Sequence, residues 1–247
     1  MTNKQLYANI EKILPKDQIF TDEILRLVKG TDAGLYRLVP KVVVKVDSEA
    51  EVTRLLTFCN TKKVPLTFKA GGTSLSGQTI SDSLLMEIGQ GFEFSSITDR
   101  GHTATFGCGL TGTAANRMLM RYKRKLGPKP ASIDSAKIGG IIANNSSGMN
   151  YGIKHNCYHT VKSMRIIFAD GSLLDTGDKE SCRNFVATHR DLIFEIEEIH
   201  RQAIQNEKIK HKISKKFRLK NTCGYGVNAL IDFDDPIQII QHLMIGS

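Results

Sequence analysis

One stretch of this chain combines residue types suited to holding an anion against its backbone. It reads Ala70-Gly71-Gly72-Thr73-Ser74-Leu75-Ser76-Gly77 and directly follows the strand-like run Leu66-Thr67-Phe68. Adjacent glycines reach positive φ and let a ligand approach the main chain closely. Successive N–H groups in such a loop form an anion-binding nest, and Thr73, Ser74 and Ser76 add hydroxyl groups. The combination suits a pyrophosphate, with an ordinary glycine-rich turn as the alternative. No Gly-x-x-x-x-Gly-Lys-Ser/Thr sequence is present, so this is not a P-loop.

A second stretch, Ile138-Gly139-Gly140-Ile141-Ile142-Ala143-Asn144-Asn145-Ser146-Ser147-Gly148, lies just after Pro128 and Pro130. A glycine pair inside an apolar run costs a helix about 1 kcal/mol per glycine relative to alanine. Close approach of the backbone to a flat ligand or to a neighbouring element would offset that cost. Asn144 and Asn145 supply donors and acceptors. A third glycine set, Gly107-Cys108-Gly109-Leu110-Thr111-Gly112, matches Gly-x-Gly-x-x-Gly. No strand ending in an acidic residue follows at the distance a nicotinamide site requires, so a tight strand-to-helix turn is expected.

The remaining reactive residue types show no metal or nucleophile arrangement. His155 and His159 are four apart, but in a Gly/Asn-rich loop, and no His-Glu-x-x-His spacing occurs. The five cysteines are widely spaced with no Cys-x-x-Cys, which argues against a disulfide framework, a zinc site or an iron–sulfur cluster. No metal site is expected. The net charge of +9 is concentrated in Arg117, Arg121, Lys123, Arg124 and Lys125, and in Lys208, Lys210, Lys212, Lys215, Lys216, Arg218 and Lys220. Such faces attract anions, lipid or nucleic acid, but a solvated helix surface is the expected reading. No nucleic-acid partner is expected, because that role leaves both glycine loops unexplained. The N-terminus has no apolar signal core, so a cytoplasmic protein is expected, with peripheral attachment to the inner membrane left open.

The elements that must position these loops can be read from pattern. The chain is long enough to bury roughly 70% of its unfolded surface. Helices are expected over 3–14 and 21–29, the second capped by Thr21. Val42 to Val46 is strand-like. Ser48 to Glu51 is a capping box, and Val52, Leu55, Leu56 and Cys59 fall on one helical stripe. Strands 42–46 and 66–69 then belong to a parallel β-α-β unit. Further strands are expected at 84–88, 92–97, 103–107 and 161–169. Asp170-Gly171 marks a hairpin into Leu173-Leu174. Helices are expected near 112–125, over 190–206, and after Asp235-Pro236.

Pro40-Lys41-Val42-Val43-Val44, Lys69 through Gly77, Pro128-Lys129-Pro130-Ala131-Ser132, Ile138 through Gly148, and Lys220-Asn221-Thr222-Cys223-Gly224-Tyr225-Gly226 occur in this order. The set resembles the FAD-binding domain of the vanillyl-alcohol-oxidase, or PCMH, type. Within that type it is similar to the FAD-linked D-2-hydroxy-acid dehydrogenases acting on D-lactate, glycolate and D-2-hydroxyglutarate. The resemblance implies an α+β, two-subdomain PCMH-type fold: a small β-α-β subdomain and a larger mixed or antiparallel sheet with helices. An N-terminal helical segment over 1–35 would precede an FAD-binding domain over 36–247, with subdomains about 36–100 and 101–247.

Carried over residue by residue, Ala70, Gly71, Gly72, Thr73, Ser74, Leu75, Ser76 and Gly77 would wrap the FAD pyrophosphate. Pro130, Ser132, Ile138, Gly139, Gly140, Asn144, Ser147 and Gly148 would line the pyrophosphate and flavin. Tyr151 and Gly152 would follow past the cofactor, and Val161 and Ile166 would lie toward its adenosine end. The first loop lacks the histidine through which some relatives attach flavin, so noncovalent FAD is expected. The implied reaction is hydride transfer from a small 2-hydroxy acid to flavin, with electrons passing to a quinone or other acceptor. The chain is expected to be truncated at its C-terminus. The catalytic residues would then lie outside it, in a cap domain or a cap or iron–sulfur subunit. The alternative is a flavin-binding module that is inactive without such a partner.

Overall fold

The computed structural model describes residues 2–148, 152–220 and 224–246. The chain falls into two compact units. The first takes the chain up to Lys125, Ser132–Gly140 and Ile167–Ser172; the second takes Leu126–Ala131, Ile141–Ile166 and Leu173 onward. The N-terminal helical segment and the stretch 101–125 are both in the first unit.

The first unit is built on a sheet of four strands in the order β1-β2-β4-β3. Its strands are β1 (Ile19–Phe20), β2 (Val42–Val46), β3 (Leu66–Lys69) and β4 (Leu84–Ile88). β2 and β3 both run parallel to β4, which lies between them, and β1 pairs antiparallel with β2. The β-branched run of β2 is almost wholly buried, as a strand covered on both faces must be. The connecting helix α3 (Glu49–Lys62) buries Val52, Leu55, Leu56 and Cys59, the stripe its periodicity predicts. Ser48 caps it by accepting the Glu51 N–H, while the Glu51 carboxylate accepts from Asp47 N–H rather than from Ser48. Helix α1 (Asn3–Ile10) adds Leu6 and Ile10 to the same core.

Several boundaries differ from the sequence pattern. Helix α2 (Glu23–Lys29) is capped by Asp22, whose carboxylate accepts from Leu25 N–H, and not by Thr21. α1 stops at Ile10 and continues only as turns through Ile13. Strands β5 (Ser95–Thr98) and β6 (Thr103–Phe106) form an antiparallel pair around Asp99-Arg100-Gly101. Helix α4 (Gly112–Met120) ends before 125, and the left-handed Lys123 lies just beyond that end.

The second unit is mostly helical. After α5 (Ile138–Ala143), within which the chain passes between units, come α6 (Cys157–Thr160), α7 (Lys179–Thr188) and α8 (Arg190–Gln205). α9 (Glu207–Phe217), α10 (Ala229–Asp232) and α11 (Pro236–Leu243) complete the order. β7 (Arg165–Ile167) and β8 (Leu173–Asp175) make a two-stranded sheet. The strand expected from Val161 to Ala169 is therefore shorter. The Val161 N–H is already used on Cys157 O, closing α6. Gly171 takes φ +89° in the turn between these strands, where the Phe168 N–H reaches Ser172 O. α11 starts as predicted, with Asp235 at its N-cap and Pro236 in the first turn. Among the described residues no helix is long and apolar enough to cross a membrane.

Candidate functional site: two glycine-rich loops

The loop at 70–77 leaves β3 with its amide groups open. Among the described residues, none of the N–H groups of Gly71, Gly72, Thr73, Ser74 and Leu75 donates to a protein acceptor. The Ser76 N–H turns back to Ser74 Oγ at 3.3 Å, and Ser74 Oγ donates to Gln78 Oε1. Gly72 (φ +62°) and Gly77 (φ +73°) occupy the left-handed region that glycine enters without strain. No carboxylate belongs to the loop itself. A run of unpaired, partly exposed amides with adjacent hydroxyls is a chemical match for an anion such as a pyrophosphate.

The loop is held from below and from one side. Lys69, buried at the end of β3, donates its Nζ to Lys29 O at 2.8 Å and Thr31 O at 2.5 Å. Burial lowers its pKa against the opposing pull of Glu87, with Lys29 adding to the lowering. The Ala33 N–H donates to Gly72 O at 3.1 Å. On the side, a Cβ at Gly71 would stand 2.3 Å from Ser135 O. The first loop and the 132–136 segment therefore meet only because residue 71 is glycine.

The 132–139 segment is itself fixed on the third glycine set. Gly112 N–H donates to Ala136 O, Thr113 N–H to Ile133 O, Ile138 N–H to Leu110 O and Gly139 N–H to Cys108 O. Gly107 to Gly112 is thus the expected strand-to-helix turn. Thr111 caps α4 by accepting from Ala114 N–H, and Gly107 is pressed against Phe92 O, 2.0 Å from where a Cβ would sit. Its contribution to the site, anchoring the second glycine stretch, was not visible in its motif.

Gly139 and Gly140 differ in what requires them. A Cβ on Gly139 would stand 3.0 Å from the Cys108 side chain, so protein packing accounts for that glycine. Around Gly140, its chain neighbours and its own helix backbone aside, no described atom lies within 4 Å of such a Cβ, and the residue is exposed. A glycine inside a short helix with open space at its Cβ position is what a closely approaching ligand surface would select.

In the second unit the loop after α5 is pinned by α6 and by the C-terminal segment. Asn145 (φ +41°) accepts the Tyr158 N–H on Oδ1 at 3.1 Å. Cys157 Sγ donates to Ile141 O at 3.1 Å, and Gly246 N–H donates to Ala143 O. Burial pushes the Cys157 thiol up to about 12. Tyr158 OH donates to Asp232 Oδ2, which also accepts from Asn228 Nδ2. Burial, followed by the Asp232 hydrogen bond, raises the phenol pKa. His242 stacks on Phe233, and burial lowers its pKa.

Of the residues singled out from sequence, Ala70, Gly71, Gly72, Thr73, Ser74, Leu75, Ser76, Gly77, Ser132, Ile138, Gly139 and Gly140 lie in the first unit. Pro130, Asn144, Ser147, Gly148, Gly152, Val161 and Ile166 lie in the second. Tyr151 falls outside the described residues, as do Asn221, Thr222 and Cys223 of the last motif. Ser147 is half-buried and Gly148 buried, Gly152 (φ +52°) is exposed, Val161 follows α6, and Ile166 is within β7. Ala33, Gly34 and Ser135, which brace the first loop, carry no signal in the sequence. Lys69 offers a signal in the sequence, a lysine at a strand end with one residue between it and a glycine pair. Among the described residues no group of three His, Cys, Asp or Glu is placed to hold a metal ion.

Comparison with known proteins decides the family. A family model described as an FAD binding domain matches residues 40–177, more than half of the chain. The chain belongs to this FAD-binding domain family. FAD is accordingly the cofactor, and the open amide run, the glycine geometry and the absence of a loop carboxylate fit its pyrophosphate. The domain is 29% identical over 180 residues to D-lactate dehydrogenase of Archaeoglobus fulgidus, covering 71% of this chain and 38% of the relative. It is 28% identical to glycolate oxidase subunit GlcD of Bacillus subtilis, over 62% of this chain and 33% of that protein. The chain thus spans about a third of the length of these curated relatives. Among solved structures, alkyldihydroxyacetonephosphate synthase matches with a TM-score of 0.60 at 20% identity, over 70% of this chain and 34% of that one. BBE-like 1 of Physcomitrella patens gives 0.56 at 16% identity, over 67% and 37%. These likenesses establish the α+β, PCMH-type fold.

Proposed function

We propose that this FAD-binding domain is the cofactor-holding part of an FAD-linked oxidoreductase acting on a small D-2-hydroxy acid of the lactate, glycolate or 2-hydroxyglutarate kind. The observation that carries the reading is the run of open amides from Gly71 to Leu75 in a chain whose curated relatives include D-lactate dehydrogenase and a glycolate oxidase subunit. Bound FAD supplies the two-electron acceptor for the hydride of the carbinol carbon. The chain's own residues bind and orient. The open amides from Gly71 to Leu75 and the neighbouring hydroxyls take the pyrophosphate charge, and the Ser132 to Gly140 segment braces that loop from one side. No histidine lies in the first loop, so attachment is noncovalent.

The base that takes the hydroxyl proton is supplied by a cap domain or by a separate cap or iron–sulfur subunit. A quinone or another carrier then accepts the electrons. The glycolate oxidase relatives are themselves named as subunits, which supports the reading of a module that becomes active with a partner.

The test is a visible spectrum of the purified chain after incubation with FAD and desalting, repeated after denaturation. A retained flavin spectrum whose chromophore separates from the denatured protein is expected. D-lactate, glycolate and D-2-hydroxyglutarate are then added anaerobically, with and without the candidate partner. Bleaching by one of them, in the chain or in the pair, supports the proposal. A flavin that stays covalently on the chain overturns the attachment, and a flavin bleached by none of the acids overturns the substrate class.

A further inference from the structure

The pyrophosphate loop rests on a piece of chain that the family match leaves out. The match begins at residue 40, yet Ala33, Gly34 and Tyr36 touch the loop, and Lys29 and Thr31 touch Lys69 just before it. Lys29 and Thr31 give their carbonyls to Lys69, and Ala33 donates to Gly72 O. Gly34 lies against Leu75, where a Cβ would stand 2.7 Å from the carbonyl oxygen. Asp32 accepts from Gly34 N–H on one oxygen and from Thr79 Oγ1 on the other. The Tyr36 ring lies 3.4 Å from the position of a Cβ on Gly77.

Lys69 is the centre of this arrangement. Its side chain passes directly under the loop, so that a Cβ on Gly72 would meet its Cε at 3.0 Å. The charged groups around the ammonium are Glu87 on β4, Lys29 on α2, and Asp32. Lys29 is itself paired with Glu87 at 2.8 Å. With two cations and two anions the cluster is neutral overall. Its use is then less an added positive charge than a fixed geometry: a lysine at the end of β3 ties down the last carbonyl of α2 and one of the irregular segment after it, and that segment holds the carbonyl of Gly72. With the Gly72 carbonyl engaged below, the peptide planes on either side are set, and the amides remain open.

We infer that residues 29–36 are a structural part of the FAD site, and that Lys69 is the positioning residue seating them beneath the pyrophosphate loop. The inference rests on the assignment of that loop to the pyrophosphate. It predicts that K69M, which removes both carbonyl bonds, weakens FAD binding by about tenfold or more, as loss of hydrogen bonds from a charged group should.

FAD and ADP are titrated separately against the full chain at a temperature where wild type and variant are fully folded by circular dichroism. Because ADP carries the pyrophosphate without the flavin, K69M should weaken both ligands by the same factor, and K69R should recover most of the loss. Should K69M not fold, G34A provides the second route. It places a Cβ against Leu75 O without touching the core, and it should weaken FAD and ADP together. Wild-type binding of both ligands by K69M, or by G34A where K69M does not fold, overturns the inference, as does weakened FAD with unaltered ADP. A wild-type chain that binds neither ligand overturns the pyrophosphate assignment, and this inference with it.

Discussion

Replacing Gly71 by alanine asks whether the two glycine stretches are held together by contact. Gly71 is not at positive φ, so alanine is conformationally permitted there and the effect is steric. Its Cβ would lie 2.3 Å from Ser135 O and 3.1 Å from Ser135 C, and both are backbone atoms that cannot rotate away. A carbon approaches a carbonyl oxygen to about 3.3 Å. The loop and the 132–136 segment must therefore part by about 1 Å. The 132–136 segment resists, because Ala136 and Ile133 carbonyls are bound by Gly112 and Thr113. Overpacking of this size costs about 1–3 kcal/mol. If the loop moves, the cost appears in the site, as about a 5- to 150-fold weaker FAD affinity. Thermal melting of the FAD-free chain and an FAD fluorescence titration divide the cost between stability and binding. G71A with both the melting temperature and the FAD affinity of wild type would show that the loop and the segment are not in contact, and the reasoning would fail at its base.

Gly140 provides the opposite case. Alanine there fills open space in α5, so the FAD-free protein should be unchanged or more stable by up to about 1 kcal/mol. FAD binding should nevertheless weaken, and equal affinities in wild type and G140A would remove Gly140 from the ligand surface. The Cys157 thiol gives a pH prediction. Its pKa rises from 9.0 to about 12 on folding, so the associated stability is intact below about pH 9. Above that pH the unfolded thiol ionises and the folded one does not, so stability falls by up to about 1.4 kcal/mol per pH unit. Urea midpoints between pH 8 and 10 should fall less steeply for C157A than for wild type, and parallel slopes would contradict the assignment. At pH 8 without denaturant, Cys157 should resist a thiol reagent.

The local elements were legible wherever one period dominated. The Val52, Leu55, Leu56, Cys59 stripe, the β2 run and the Asp235-Pro236 start each carry their structure in neighbouring residues. In the sequence α9 shows only as a charge cluster, because Lys208, Lys210, Lys212, Lys215 and Lys216 obscure the spacing of Ile209, Ile213 and Phe217. Thr21 and Asp22 both suit a cap by residue type, and only the chain path selects Asp22. The glycine loops were visible as residue types. Their contacts were not, since nothing in the sequence brings Gly71 to Ser135 or Lys69 to Thr31. Gly107 to Gly112 shows the limit most clearly: its motif carries the strand-to-helix turn, but nothing in it tells that its carbonyls and amides anchor the second glycine stretch.

The first unit's use of three separate stretches of chain has a consequence for synthesis. Ile167 packs against the same core as α3, and Gly171 lies against Thr53 and Thr57 of that helix. The sheet and α3 therefore leave the ribosome well before the last piece that covers them. At about 5–20 residues per second, the Thr53 and Thr57 side of α3 and the edge of the core that Ile167 packs on wait several seconds for residues 167–172. Contacts that span so much sequence also make closure slow. The yield of soluble protein should depend on translation rate and on chaperone supply during that interval, even where the finished domain is stable.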